Sequence, residues 1–144
     1  MGLLYDISKN GEDPEQSWTD EILGPTVWSA DDEEWHGNHR GIDFALSYER
    51  RRVPSPEVVD HARASLNDTG WILEAFEREK EKAVGRYGRD FEEEIGKLRI
   101  GRMMFGLQKG ERVLVVGLLG DDDEVRAWWM AFFGRECSGI GFDG

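Results

Sequence analysis

Leu98-Arg-Ile-Gly-Arg-Met-Met-Phe-Gly-Leu107, Val113-Leu-Val-Val-Gly-Leu-Leu119 and Val125-Arg-Ala-Trp-Trp-Met-Ala-Phe-Phe133 make up the most apolar part of the chain. Lys109-Gly110 separates the first two blocks, and Gly120-Asp121-Asp122-Asp123 separates the second from the third. A short Gly-containing turn between two β-favouring runs predicts a hairpin over Leu98–Leu119. The third block reads two ways. Val125, Trp128, Trp129, Phe132 and Phe133 fall at i, i+3, i+4, i+7 and i+8, with acids before and Gly134 after, which predicts a helix. Val, Trp and Phe favour strands, which leaves a strand as the alternative. The helix is the expectation carried forward. These blocks supply a core, and the rest of the chain must cover it.

Working outward, the segments upstream of Leu98 read as helices. Ser55-Pro56-Glu57 combines an N-cap residue, a first-turn proline and a first-turn acid. Val58, Val59, Ala62 and Leu66 then follow at helical spacing to about Asn67. A second helix is expected from the Asp68-Thr69 cap to Tyr87, with Gly88 as its stop. Its buried stripe is read as Ile72, Leu73, Phe76, Ala83, Val84 and Tyr87, with Glu74, Glu77, Arg78 and Glu81 in water. His61 follows Val58 by one turn, the place of a structural histidine.

Further upstream the pattern shortens to strands. Ile22–Trp28 and Trp35-His36 are short β-favouring runs, and Gly41–Glu49 alternates, with Ile42, Phe44, Leu46 and Tyr48 on one face. Gly37-Asn38 is read as the turn between the last two, since both residues tolerate positive φ. Gly2–Ile7 is an edge strand or packed arm, and Ser8–Thr19 an acidic loop. Ser138–Gly144 reads as a Gly-rich tail and the candidate for a last short strand, through Ile140 and Phe142. The fold class expected is α+β: an N-terminal antiparallel meander, two central helices, and a C-terminal β-hairpin plus an aromatic helix or strand.

The 144 residues suit one domain, 1–144, since domains cluster at about 100–150 residues. Such a chain buries roughly 68–70% of its unfolded surface and needs no staple. An apolar content of 39% with six Trp and seven Phe is enough for a core. No run approaches the ~18 apolar residues of a membrane span. Met1–Tyr5 lacks a basic start, and Cys137 is the only cysteine. Both point to a cytoplasmic protein.

Charge is the sharper signal. The net charge is −12, and Met1–Glu34 carries ten acids against Lys9 alone, a net of −9. That asymmetry argues against nucleic acid and anionic membrane as partners, which require basic patches. It suits an acidic N-terminal region (1–34) that meets a basic protein partner. Candidate contact residues are Asp31, Asp32, Glu33 and Glu34, with Trp35 as apolar anchor, together with Asp20, Glu21 and Trp18.

The motifs for chemistry are few. Gly139-Ile-Gly-Phe-Asp-Gly144 matches G-x-G-x-x-G but has no following helix in this chain to hold a pyrophosphate. Asp121–Glu124 lacks the spacing of a calcium loop. Cys137 has no base beside it in sequence. His36-Gly37-Asn38-His39 could hold a transition metal with a neighbouring carboxylate, the basis of an alternative reading as a small metal-dependent enzyme. The turn expected there would separate the rings, so no metal, cofactor or catalytic residue is assigned.

The Trp35-His36-Gly37 opening, the Gly41–Tyr48 strand, the element order, size and acidity resemble small uncharacterised bacterial domains and the immunity proteins encoded beside secreted antibacterial toxins. The resemblance implies a single cytoplasmic domain without an active site. Its function would be to neutralise a basic toxin or enzyme by blocking a cationic site.

Overall fold

In a computed structural model of the chain, residues 17–47, 55–120 and 126–143 are described. Among the described residues, eight strands lie in one sheet in strict chain order, with helices inserted between the fourth and fifth. The first four are β1 (Ser17–Asp20), β2 (Gly24–Ser29), β3 (Glu34–His39) and β4 (Ile42–Ser47). Then come α1 (Pro56–Asn67), α2 (Gly70–Tyr87), a 3-10 turn at Arg89–Phe91 and α3 (Glu92–Gly96). The last four are β5 (Arg99–Gln108), β6 (Glu111–Leu119), β7 (Ala127–Phe133) and β8 (Glu136–Asp143). All neighbours are antiparallel except β4 and β5, which pair in parallel through Asp43–Leu46 and Arg102–Phe105. A parallel pair needs a long crossover, and the helices provide it.

The α+β class is as expected, but the expected meander and hairpin are halves of one sheet. The expected helix at Val125–Phe133 is instead a strand: Ala127–Phe133 pairs with β6 on one side and β8 on the other. Its apolar residues serve both faces. Trp128, Met130 and Phe132 are buried toward the helices, while Trp129 and Phe133 point the other way. Gly2–Ile7, Tyr48 and Asp121–Glu124, with Val125 of the expected helix, lie outside the described residues.

Turn chemistry explains the hairpins. Lys109 and Gly110 both have positive φ (52° and 83°), the two-residue geometry that matches strand twist, as expected there. The turn expected at Gly37-Asn38 is instead at Arg40-Gly41, with φ of 52° and 87°. Gly37 sits within β3 for a different reason. A Cβ there would lie 2.6 Å from the Phe44 ring, so the glycine makes room for an aromatic across the strand pair.

The core lies between the helices and one face of the sheet. Trp35, Leu46, Phe105, Leu114 and Phe132 run across it in register, strand by strand. The rings of His61 (α1) and Trp71 (α2) meet Phe105 and Phe132 edge-on from the helical layer. On α2 the buried residues are Ile72, Ala75, Phe76, Glu79 and Ala83. Leu73, expected in the stripe, is 49% exposed, because it lies one residue (about 100°) round the helix from Ile72. At the outer edge the Ile140 carbonyl of β8 accepts from Arg86 Nη1 (3.0 Å) and Tyr87 Oη (3.1 Å), so α2 side chains satisfy part of the edge strand. Among the described residues no helix is long and apolar enough to cross a membrane.

Candidate functional site

The helices cover one face of the sheet. On the other face, β3, β4 and β5 bring a polar group together. Alternation in β3 puts Glu34, His36 and Asn38 on this face, and the register carries it on to Asp43 and Ala45 of β4 and Arg102 and Met104 of β5. Arg102 Nη2 donates to Glu34 Oε1 (3.2 Å) and lies 3.1 Å from His36 Nε2. That nitrogen is also 3.2 Å from Glu34 Oε1 and 3.5 Å from Asp32 Oδ2. Asn38 Nδ2 donates to Asp43 Oδ1 at 2.8 Å and its Oδ1 accepts from the Gly41 amide, which stiffens the β3–β4 turn. His36, Gly37, Asp43, Phe44 and Arg102 line a shallow depression. This lining holds no nucleophile set against a base. It offers polar contacts to a surface laid over it.

Asp32, Glu34 and His36 present three donor atoms within 4.8 Å of one another. Arg102 already supplies a cation to two of them. The metal pair considered from sequence is not formed, because His36 and His39 lie three residues apart on one strand and face opposite sides. His39 is buried on the helical side, and its Nε2 has no hydrogen-bond partner.

The expected contact residues divide. Asp31, Asp32 and Glu33 are exposed on the β2–β3 turn, and Glu21 is exposed on the β1–β2 turn. Glu34 is half-buried and engaged with Arg102. Trp35 is 1% exposed and tilts against Trp28 at 5.5 Å, so the apolar anchor expected there belongs to the core. Odd and even positions of β3 serve different faces, and Trp35 falls with the inward set. Trp18 packs against the core, half-buried. Asp20 is buried as well. Its carboxylate accepts from the Ile22 and Leu23 amides, both at 2.9 Å, and from Arg63 of α1 through Nε (3.0 and 3.1 Å) and Nη2. The Arg63 guanidinium, ahead of those amides, holds this carboxyl down at about 2. Asp20 ties β1 to α1, so it is a brace and not a docking group.

Other polar contacts had little signal in the sequence. Arg102 stands out only as a charge inside the apolar run Ile100–Phe105. Glu94 accepts from Arg126 Nε (2.8 Å) and Trp128 Nε1 (2.6 Å), and these bonds hold its carboxyl below the usual range. Glu79 is buried on α2 with Lys82 at 3.5 Å. Burial lowers His61 to about 4, with the positive Arg112 adding to the effect, and raises the Cys137 thiol.

The surviving exposed acids share a region. Residues 17–47 carry seven acids against Arg40, a net of −6. The described residues of the last four strands, 99–120 and 126–143, carry six cations against three acids, a net of +3. Comparison with protein-family models, curated proteins and solved structures finds no match to this chain.

Proposed function

We propose that this chain is a binding protein of the immunity or inhibitor kind, which captures a basic protein partner through the acidic first half of its sheet. The observation that supports this reading is the exposed Asp31-Asp32-Glu33 turn within a region of net charge −6. These acids project from the β2–β3 hairpin, where the Asp32 amide donates to Ser29 Oγ at 3.3 Å. Glu34 and His36 extend the polar surface from the turn onto the open face, and Val27, 54% exposed beside His36, is an apolar contact within it. An exposed acidic patch suits a cationic cleft. It steers encounter, raising association rates by about 10–10³-fold.

The proteins encoded on either side of this gene are the partners to test. For the one that binds, reversing Asp31 and Asp32 to Lys should lower the association rate and flatten its salt dependence. Binding that is indifferent to salt and to both substitutions would remove the acidic turn from the interface.

A further inference from the structure

The turn that opens β3 brings three ligand atoms to one place. Alternation puts Glu34 and His36 on the open face of the sheet. Glu33 takes a left-handed φ of 55° in the turn, and the Asp32 carboxylate reaches back to the same place. One atom from each of Asp32, Glu34 and His36 lies within 4.8 Å of the other two. His36 Nε2 stands 3.2 Å from Glu34 Oε1 and 3.5 Å from Asp32 Oδ2. Zn²⁺ holds nitrogen and oxygen ligands at about 2.0–2.2 Å, so neighbouring ligands of a tetrahedral ion are roughly 3.3–3.6 Å apart. Both His36 distances are close to that spacing.

The ring nitrogen gives a second reason. His36 Nε2 faces a donor, Arg102 Nη2 at 3.1 Å, and two carboxylate oxygens, which accept. A proton on Nε2 serves an oxygen and opposes the guanidinium, whereas a bare lone pair does the reverse. A divalent cation among the three ligand atoms suits all of them once Arg102 moves aside. Arg102 has room to move and a second carboxylate to meet: its side chain is 38% exposed, and Asp43 lies opposite it in the parallel β4–β5 register. We propose that Asp32, Glu34 and His36 bind one divalent transition-metal ion, Zn²⁺ by preference, which displaces Arg102 toward Asp43. The imidazole selects against Ca²⁺ and Mg²⁺, which take oxygen ligands. A fourth position is left to water or to a donor atom of a bound molecule, as in other sites with three protein ligands. The proposal does not rest on the inhibitor reading, and its test uses this chain alone.

Three ligands in a partly exposed site hold an ion more weakly than a closed four-ligand site, with a Kd of roughly 1–100 µM. Isothermal titration calorimetry of the full, chelator-treated chain with Zn²⁺ near neutral pH tests this. The expected result is a single ion per chain, with His36→Ala and Asp32→Asn each raising Kd about tenfold or more. Cys137→Ser, on β8 at the far end of the sheet, should leave Kd unchanged. A millimolar excess of Ca²⁺ should leave it unchanged too, because a nitrogen ligand discriminates against that ion. Circular dichroism establishes that each variant is folded, and Asp32→Asn, at an exposed turn residue, keeps the test informative if His36→Ala does not fold. Absence of Zn²⁺ binding up to about 1 mM overturns the proposal. So does binding that either substitution leaves unchanged in a folded variant, or that Ca²⁺ competes away, which would mark a diffuse acidic surface instead of a site.

Discussion

The first four strands and the last four form one sheet but are written differently. β3 and β4 place their polar groups on the open face: Glu34, His36 and Asn38, then Asp43 and Ser47. β6 and β7 are apolar on both faces across Val113–Leu119 and Ala127–Phe133. The difference shows that one sheet can carry two kinds of surface, a charged one and an apolar one. It also explains why the strand nature of β7 is hidden. When both faces are apolar the two-residue period disappears, and Val125, Trp128, Trp129, Phe132 and Phe133 match a helical stripe by coincidence of spacing.

The largest test of this contrast sets inward against outward aromatics. Trp35→Ala should cost about 3–5 kcal/mol in urea unfolding, because the ring is fully enclosed. Phe133→Ala should cost less, on the order of 1 kcal/mol, since the residue is already 42% exposed. Equal losses would erase the distinction between the faces.

A smaller effect sharpens how the helical layer is held on the sheet. His61 is buried and lowered to about 4, while the unfolded chain titrates near 6.5. Between those values the unfolded state binds more protons, so stability is full above about 6.5 and falls as pH drops toward 4. After allowance for solvent screening the loss is about 2 kcal/mol. Unfolding from pH 7 to 4 should show it, and His61→Leu should remove that part of the slope.

Smaller again is the brace on the acidic half. Asp20 is lowered from an ordinary 3.8 to about 2. Its contribution is present above about 4 and is lost as pH falls through 2, a change of about 1 kcal/mol once screening is allowed for. Asp20→Asn should flatten unfolding between pH 4 and 2 and leave the last four strands folded. A charge reversal at Asp31 or Asp32 is the smallest in stability, within about 0.5 kcal/mol, since these side chains are exposed.

How much of this could be read beforehand follows from how local each signal is. Lys109-Gly110 between two apolar runs shows the β5–β6 hairpin, and Ser55-Pro56 shows the start of α1, because turns and caps are decided by a few adjacent residues. Gly37-Asn38 misleads for the same reason. It has turn residues, but Gly37 is there to admit Phe44 from the next strand. The β4–β5 pairing joins Asp43–Leu46 to Arg102–Phe105, and no local pattern reports contacts at that separation. The site follows suit. The acids of the β2–β3 turn stand out by composition, whereas Arg102, 68 residues from Glu34, and Arg63, 43 from Asp20, are found only once the chain is folded. The inward place of Trp35 is not legible locally, because the face of β3 that turns inward depends on its register with β4.

The most direct test of the acidic half as the partner surface is amide hydrogen exchange, comparing the chain alone with the chain bound to a neighbouring-gene product. Protection gained at residues 30–36, with α1 and α2 unchanged, is the expected result. Protection confined to the helices, with the Asp31–Glu33 turn exchanging as in the free chain, would contradict it.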